Sequence, residues 1–252
     1  MKRVSVKTIG CKTNFADTRV LETSLEKLGF AVVPYGEVSD LVIVNSCVVT
    51  QRAEADSRRA LTKGKRSGGN PKTVLTGCGV LKNGKPSLAE FADLVLPMEH
   101  QGSEKKLTAL FAGQIARKDL KGYGRESLSR ANRSRVFVKI QNGCDNRCSY
   151  CIVPSVRGKS VSRHHEDVLK EIRAYEDQGF PEVVLTGNHI GSYGNDIPGL
   201  PSLSTLVEMA LKGTGRIRIR LSSTEVDEVD PHLLEMVTGE KRLCNHLHIP
   251  LQ

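Results

Sequence analysis

The chain alternates short apolar runs with longer stretches whose apolar residues recur at helical spacing. Residues 4–9 read as a strand, and residues 17–28 as a helix with Val20, Leu21, Leu25 and Leu28 on one face. Residues 30–33 form a short strand. Residues 41–44 are continuously apolar, the pattern of a strand covered on both faces of a parallel sheet. A helix capped by Thr50 and running to about Lys65 comes next. Residues 73–75 and 94–96 add further strands. The second half repeats the rhythm, with strands predicted at 136–140, 183–185, 217–220 and 247–249 and helices at 165–178, 203–211 and 231–237. Alternating βα units of this kind predict an α/β fold: a Rossmann-like parallel-sheet domain over 1–112, then an incomplete, TIM-like βα barrel over 134–252. Between them, residues 113–133 lose periodicity and become rich in Gly, Ser and basic residues, as an interdomain linker would.

Charge adds a partner to this picture. The 252 residues carry 37 Lys and Arg against 28 Asp and Glu, a net charge of +9. The excess is clustered. No acidic residue lies between Ser57 and Ala89, a stretch holding Arg58, Arg59, Lys63, Lys65, Arg66, Lys72, Lys82 and Lys85. A second cluster, Arg117 to Arg135, contains only Asp119 and Glu126 as counter-charges. A polyanion such as nucleic acid fits this balance. Aromatic residues make up 4% of the chain and Trp is absent, so phosphate contacts are expected rather than a broad stacking platform. No apolar run is long enough for a membrane span, and the charged N-terminus lacks the apolar stretch of a signal peptide. A cytoplasmic protein is expected.

The seven cysteines carry the chemistry. Grouped cysteines in a cytosolic chain point to metal binding or catalysis before disulfides. Cys11, Cys47 and Cys78 each follow a predicted strand, so a parallel sheet would gather them at one rim, where open α/β sheets bind ligands. Gly10 and Gly77 would let the backbone turn sharply there. Three buried cysteines acting as small hydrophobes is the alternative. The second triplet, Cys144, Cys148 and Cys151, has the spacing C-x3-C-x2-C in one loop. Three thiolates can hold three irons of a 4Fe–4S cube and leave the fourth open for a substrate or cofactor. A zinc knot with His164 or His165 as fourth ligand is the rival, although zinc sites usually show a second cysteine pair. Cys244 stands apart and is assigned no role.

These segments resemble a known family. C-x3-C-x2-C after the first barrel strand is similar to the radical S-adenosylmethionine superfamily. The chain from Val4 to Gln252 resembles its methylthiotransferases, through Gly10-Cys11-Lys12-Thr13-Asn14, Asn45-Ser46-Cys47, Thr76-Gly77-Cys78, Lys139-Ile140-Gln141-Asn142-Gly143-Cys144, Leu185-Thr186-Gly187 and Arg218-Ile219-Arg220-Leu221-Ser222-Ser223. Gly191-Ser192-Tyr193-Gly194-Asn195-Asp196 and His246-Leu247-His248-Ile249-Pro250 resemble the branch that modifies N6-threonylcarbamoyladenosine in tRNA. The resemblance implies two 4Fe–4S clusters. The one on Cys144, Cys148 and Cys151 would bind S-adenosylmethionine and generate a 5′-deoxyadenosyl radical that attacks carbon 2 of the adenine. The auxiliary one on Cys11, Cys47 and Cys78 would deliver sulfur. It also implies a tRNA anticodon stem-loop as substrate, an external electron donor and a sulfur source.

Other site residues follow less directly. Tyr150 would pack near the cofactor adenine. Thr186, Gly187 and Asn188 would meet its methionine amino group, unless they form only a βα turn. Ser222, Ser223 and Glu225 would meet ribose hydroxyls, unless they only cap a helix. Arg157 and Arg163 could neutralise a carboxylate or phosphates, or simply be solvated. Family members continue into further βα units and a small RNA-binding β-barrel, so the barrel is expected to be cut short here and the chain poorly active alone. Sister branches acting on isopentenyladenosine or a ribosomal-protein aspartate, and a non-catalytic metal- and RNA-binding protein, are the competing readings.

Overall fold

A computed structural model describes residues 2–82, 85–86, 88–111 and 134–251. The predicted linker at 113–133 lies outside the described residues. The chain divides into two compact units, Met1–Asn132 with Tyr150–Val156, and Arg133–Ser149 with Arg157–Gln252.

In the first unit, β1 (Arg3–Thr8), β2 (Ala31–Val33), β3 (Leu41–Ser46), β4 (Lys72–Gly77) and β7 (Leu94–Val95) form one parallel sheet in the order β2-β1-β3-β4-β7. This is the flavodoxin-like variant of the doubly wound order, whose strand order reverses between β1 and β3. A short antiparallel pair, β5 (Leu81–Lys82) and β6 (Lys85–Pro86), follows β4. Every residue of β3 is buried, because helices cover both faces of the sheet. Leu41 and Ile43 pack with Leu21 and Leu25 of α1 (Lys12–Lys27) and Leu107 of α3 (Glu104–Leu110). Val42 and Val44, pointing the other way, pack with Ala60 and Leu61 of α2 (Gln51–Lys65). The period of two along a strand makes this division. Gly64 lets α2 approach the sheet closely, since a Cβ there would stand 2.8 Å from Val42 Cγ1. Thr50 caps α2 by accepting from the Ala53 N–H at 3.1 Å.

Two details depart from the sequence pattern. Helix α1 begins at Lys12 rather than near residue 17, and its buried face includes Asn14, Asp17 and Thr18. Val20, expected on that face, is instead 42% exposed.

The second unit holds a parallel sheet in the order β12 (Arg218–Leu221), β11 (Glu182–Thr186), β8 (Arg135–Lys139). A short antiparallel pair, β9 (Gln141–Asn142) and β10 (Val161–Ser162), stands beside it. Helix α4 (Val153–Arg157) lies between β9 and β10 in the chain, but its residues up to Val156 belong to the first unit. Helices α5 (His165–Asp177), α6 (Leu203–Lys212) and α7 (Pro231–Gly239) complete the unit. β11 is buried along its whole length, and Val168, Ile172, Leu206 and Val207 pack into the same core as Val183 and Leu185. The strand expected at 247–249 is reduced to one bridge, Ser223 to His248. A strand needs a partner running alongside, and β12 has already ended at Leu221.

The turn before β12 is held by one carboxylate. Glu176 accepts from the N–H groups of Gly215, Ile217 and Arg216, at 3.0, 2.9 and 2.5 Å. Burial opposes its charge, but the three N–H groups prevail and hold it below the usual glutamate range. A lowered folded-state pKa adds stability above the unfolded value of about 4.3, lost as pH falls through the folded value. Glu176→Gln should therefore lower the melting temperature at neutral pH and flatten its decline below about pH 4.3. Thermal melts across pH 3–7 check this; parallel curves for both proteins would contradict it.

Candidate functional site

In the first unit, β1, β3 and β4 are neighbours, with Thr8 opposite Asn45 and Ser46 opposite Gly77. Cys11, Cys47 and Cys78 follow these strands directly, so they emerge at one rim of the sheet. Cys11 and Cys47 flank the point where the strand order reverses, the usual ligand crevice of such sheets. Gly10 turns with φ of +108°, and a Cβ there would stand 2.9 Å from Cys47 Sγ. Gly77 turns with φ of +84°, and a Cβ would stand 2.5 Å from the Ser46 carbonyl. Only glycine lets the three chain ends run this close. Cys47 and Cys78 are buried and Cys11 is exposed.

Sequence reasoning missed the polar frame behind these thiols. Asn14 Nδ2 donates to the carbonyls of Ile9, at 2.7 Å, and Ser46, at 2.9 Å. Asn45 Nδ2 donates to the Asn14 carbonyl at 2.8 Å and to Thr18 Oγ1 at 2.9 Å. Ser46 Oγ donates to the Thr76 carbonyl and accepts from the Gly79 N–H at 3.0 Å. Ser57 Oγ accepts from the Cys47 N–H at 3.1 Å. All four of these side chains are fully buried. The signal was present in Asn14, Asn45 and Ser46, which sit inside the cysteine motifs.

In the second unit, the loop that starts the other triplet hangs on one buried amide. Gln141 Oε1 accepts from the N–H groups of Asn188, at 3.0 Å, and His189, at 2.9 Å. Its Nε2 donates to the Gly143 carbonyl and Ser160 Oγ, each at 2.8 Å. Asn188 Oδ1 accepts from the Gly143 N–H at 3.1 Å. Gly143 has φ of +76°, and a Cβ would collide with the Lys159 carbonyl. The Cys144 N–H then donates to the Gly158 carbonyl at 3.1 Å. Cys144 Sγ stands 3.6 Å from His189 Nδ1. The far ring nitrogen, Nε2, lies against Glu228 Oε1 without hydrogen-bond alignment. Neither His189 nor Glu228 had been singled out from sequence. Cys148 is exposed and Cys151 half-buried; the first belongs to this unit and the second to the other.

The remaining candidates are distributed as follows. Thr186 is buried, its carbonyl accepting from the Ile140 N–H at 2.8 Å. A Cβ on Gly187 would stand 2.8 Å from Gln141 Oε1, so that position too keeps the amide in place. Ser222 Oγ is buried with no hydrogen-bond partner, whereas Ser223 Oγ pairs with His248 Nδ1 at 2.7 Å. Glu225 caps the short turn Val226–Glu228 reciprocally with Glu228. Tyr150 is 69% exposed. Arg157 donates to Asn142 Oδ1 at 2.9 Å, and Arg163 to the Lys139 carbonyl and Glu171, each at 2.7 Å. His165 Nε2 lies 3.2 Å from Glu166 Oε1.

Among the described residues, no three His, Cys, Asp or Glu side chains converge on one ion-sized point. Thiolates that hold a cube bind different irons at its corners, so they stand wider apart than ligands sharing one ion. The first triplet, gathered at one rim by glycine turns, fits such a group. The donor chemistry of the second fits it too, with Cys144 already fixed at both backbone and thiol.

Residues 3–96 match the uncharacterized protein family UPF0004, and residues 138–252 match the radical SAM superfamily. The chain is 31% identical, over 99% of its length, to threonylcarbamoyladenosine tRNA methylthiotransferase MtaB of Rickettsia prowazekii, covering 59% of that protein. The protein of the same name from Aquifex aeolicus is also 31% identical, with 63% of it covered. The chain combines a UPF0004 domain with a radical SAM domain. Another relative, tRNA-2-methylthio-N(6)-dimethylallyladenosine synthase of Carboxydothermus hydrogenoformans, is 32% identical over 97% of the chain and 59% covered. The chain thus spans about 60% of the length of these methylthiotransferases. Its fold resembles that of the radical S-adenosylmethionine methyltransferase TsrM of Kitasatospora setae, with a TM-score of 0.60 at 16% identity, over 94% of this chain and 57% of that one.

Gln141→Leu would leave two part-buried N–H groups, the Asn142 and Gly143 carbonyls and Ser160 Oγ without this partner. A fully buried orphaned group costs about 1–3 kcal/mol, so these mostly part-buried ones together should cost at least about 3 kcal/mol by denaturant unfolding, with less iron retained per chain. Wild-type stability and iron content in this variant would show that the loop is held by something else.

Proposed function

We propose that this chain carries out, or forms part of, the addition of a methylthio group to carbon 2 of N6-threonylcarbamoyladenosine beside the tRNA anticodon, using two 4Fe–4S clusters and S-adenosylmethionine. One observation carries the reading. Two cysteine triplets follow the strand ends of two parallel-sheet units, in a chain whose halves match UPF0004 and the radical SAM superfamily. The names of the relatives favour tRNA as substrate and threonylcarbamoyladenosine as the modified base.

Cys144, Cys148 and Cys151 would hold one cluster with an iron left open, and Cys11, Cys47 and Cys78 the other. When bound, the first supplies one electron to the sulfonium of S-adenosylmethionine. The chain's own residues position that event. Gln141 ties the cysteine loop to Asn188 and His189, so the ligand loop and the end of β11 move as one piece. Gly187 leaves room at that strand end for the Gln141 amide, beside which the methionine moiety would lie. Ser222, buried with an unpaired hydroxyl, suits a ribose hydroxyl. Ser223 and Glu225 would have to exchange their present partners, His248 and Glu228, to do the same. Tyr150, exposed beside Cys151, would lie near the adenine. An external reductant and a sulfur source would complete the reaction, and a tRNA substrate would suit a cytoplasmic protein. The synthase relative supports a second reading, with dimethylallyladenosine as the modified base.

Anaerobic reconstitution should load about eight irons per chain, as two 4Fe–4S clusters require. Incubation with unmodified-at-carbon-2 tRNA, reductant and S-adenosylmethionine, followed by nucleoside mass spectrometry, should reveal a methylthio gain on threonylcarbamoyladenosine. The same gain on dimethylallyladenosine would select the second reading. Stoichiometric zinc without iron would overturn both. Cys148→Ser should abolish the product, whereas Cys244→Ser should leave it.

A further inference from the structure

A second place on the first unit has the chemistry of a binding site. A cavity of about 470 Å³ opens beside the second half of α2. That volume falls within the range of small-ligand pockets. Tyr35, Val42 and Gly64 form an apolar wall, and Arg58, Arg59, Lys63 and Arg66 stand around it. None of its lining residues is acidic. The Tyr35 ring is fixed in place, its hydroxyl donating to the Ala60 carbonyl at 2.9 Å.

The cations differ in how far they are already neutralised. Arg59 pairs with Asp56 at 3.1 Å, and Arg58 lies over the Phe91 ring at 5.6 Å. Lys63 and Arg66 have no ion-pair partner among the described residues. Cations in the last turn of a helix answer its dipole, which accounts for Lys63, Lys65 and Arg66 by themselves. The dipole does not account for Arg58 and Arg59 half-way along the helix, nor for a cavity between the cations. Positive charges gathered round an apolar hollow suit a ligand that is anionic at one end and flat and apolar at the other. A nucleotide has that form, with phosphate for the guanidinium and ammonium groups and a base for the tyrosine and valine wall.

We propose that this cavity takes one nucleotide of the substrate RNA, with its phosphate on Lys63 and Arg66 and its base against Tyr35 and Val42. The proposal rests on the reading of tRNA as substrate. It places an RNA contact away from the thiols: Lys63 and Arg66 stand roughly four helical turns beyond Thr50, where α2 begins next to Cys47.

The test uses the reconstituted chain and an unmodified tRNA transcript, with affinity read by fluorescence anisotropy across a salt series. Lys63→Glu/Arg66→Glu should weaken binding at least tenfold at moderate salt. It should also reduce the slope of log affinity against log salt by about 0.7–0.9, as expected for one lost phosphate contact. Iron per chain and the melting curve should match the wild type, which separates lost contacts from lost folding. Lys105→Glu/Lys106→Glu, with the same change in net charge on α3, should bind nearly as the wild type does. Unchanged affinity and slope in the first variant would overturn the proposal, as would equal losses in both variants. A wild-type chain that does not bind tRNA would instead remove the substrate reading on which the proposal stands. Tyr35→Ala, retaining the cations, should weaken binding with an unchanged salt slope; wild-type affinity there would remove the base from the proposal.

Discussion

Parallel strands that stop side by side leave backbone N–H and C=O groups without ladder partners, and those ends are also where the cysteines must sit. Satisfying these groups without filling the rim is the constraint on which the rest depends. Both units meet it with short polar side chains turned inward. Asn14, Asn45, Ser46 and Ser57 bind the loose ends around the first triplet, and Gln141 with Asn188 binds those around Cys144. Gln141 joins two chain segments through both its donor and its acceptor, whereas Asn14 and Asn45 do so through Nδ2, Asn45 Oδ1 being buried without a hydrogen-bond partner. The cost of leaving any of these backbone groups unpaired in a buried setting is what makes the loops hold one conformation.

Glycine enters for the complementary reason. Where a side chain ties two segments together, the backbone opposite must come close enough to be tied. Gly77 and Gly187 stand against Asn45 and Gln141 respectively, and a Cβ at either would occupy the space of the amide. A glycine at one strand end and the amide one strand away therefore form a single device, used in both units with unrelated sequences.

This explains what the sequence did and did not disclose. The apolar run before Asn45, the Thr50 cap and the end of α2 at Lys65 follow from local chemistry, and the structure reproduces them to within a residue or two. The start of α1 did not, because residues 12–18 bury Asn14, Asp17 and Thr18 for polar work, and an apolar-periodicity reading passes over such a turn. The strand expected at 247–249 failed for a different reason: its apolar residues are real, but strand formation depends on a partner that only tertiary structure supplies. Spacing brought out the loop triplet, and matching positions after predicted strands brought out Cys11, Cys47 and Cys78. Neither signal could find His189 or Glu228, which approach Cys144 from 45 and 84 positions away and carry no local signature.

Helix α2 joins the two chemical districts of the first unit. Its amide end begins just after Cys47, within the frame set by Ser57, and its carbonyl end carries Lys63, Lys65 and Arg66. The macrodipole favours negative charge at the first end and positive charge at the second. The same backbone polarity therefore suits thiolates at one end and a cationic edge at the other, where Lys65 is in addition paired with Asp93 at 3.4 Å. An acidic residue placed among the cations would satisfy them internally and close the surface to an anion. The uninterrupted run without Asp or Glu from Ser57 to Ala89 is the sequence form of that exclusion, and it keeps the positive edge of α2 open to a polyanion while the thiol rim stays free of competing charge.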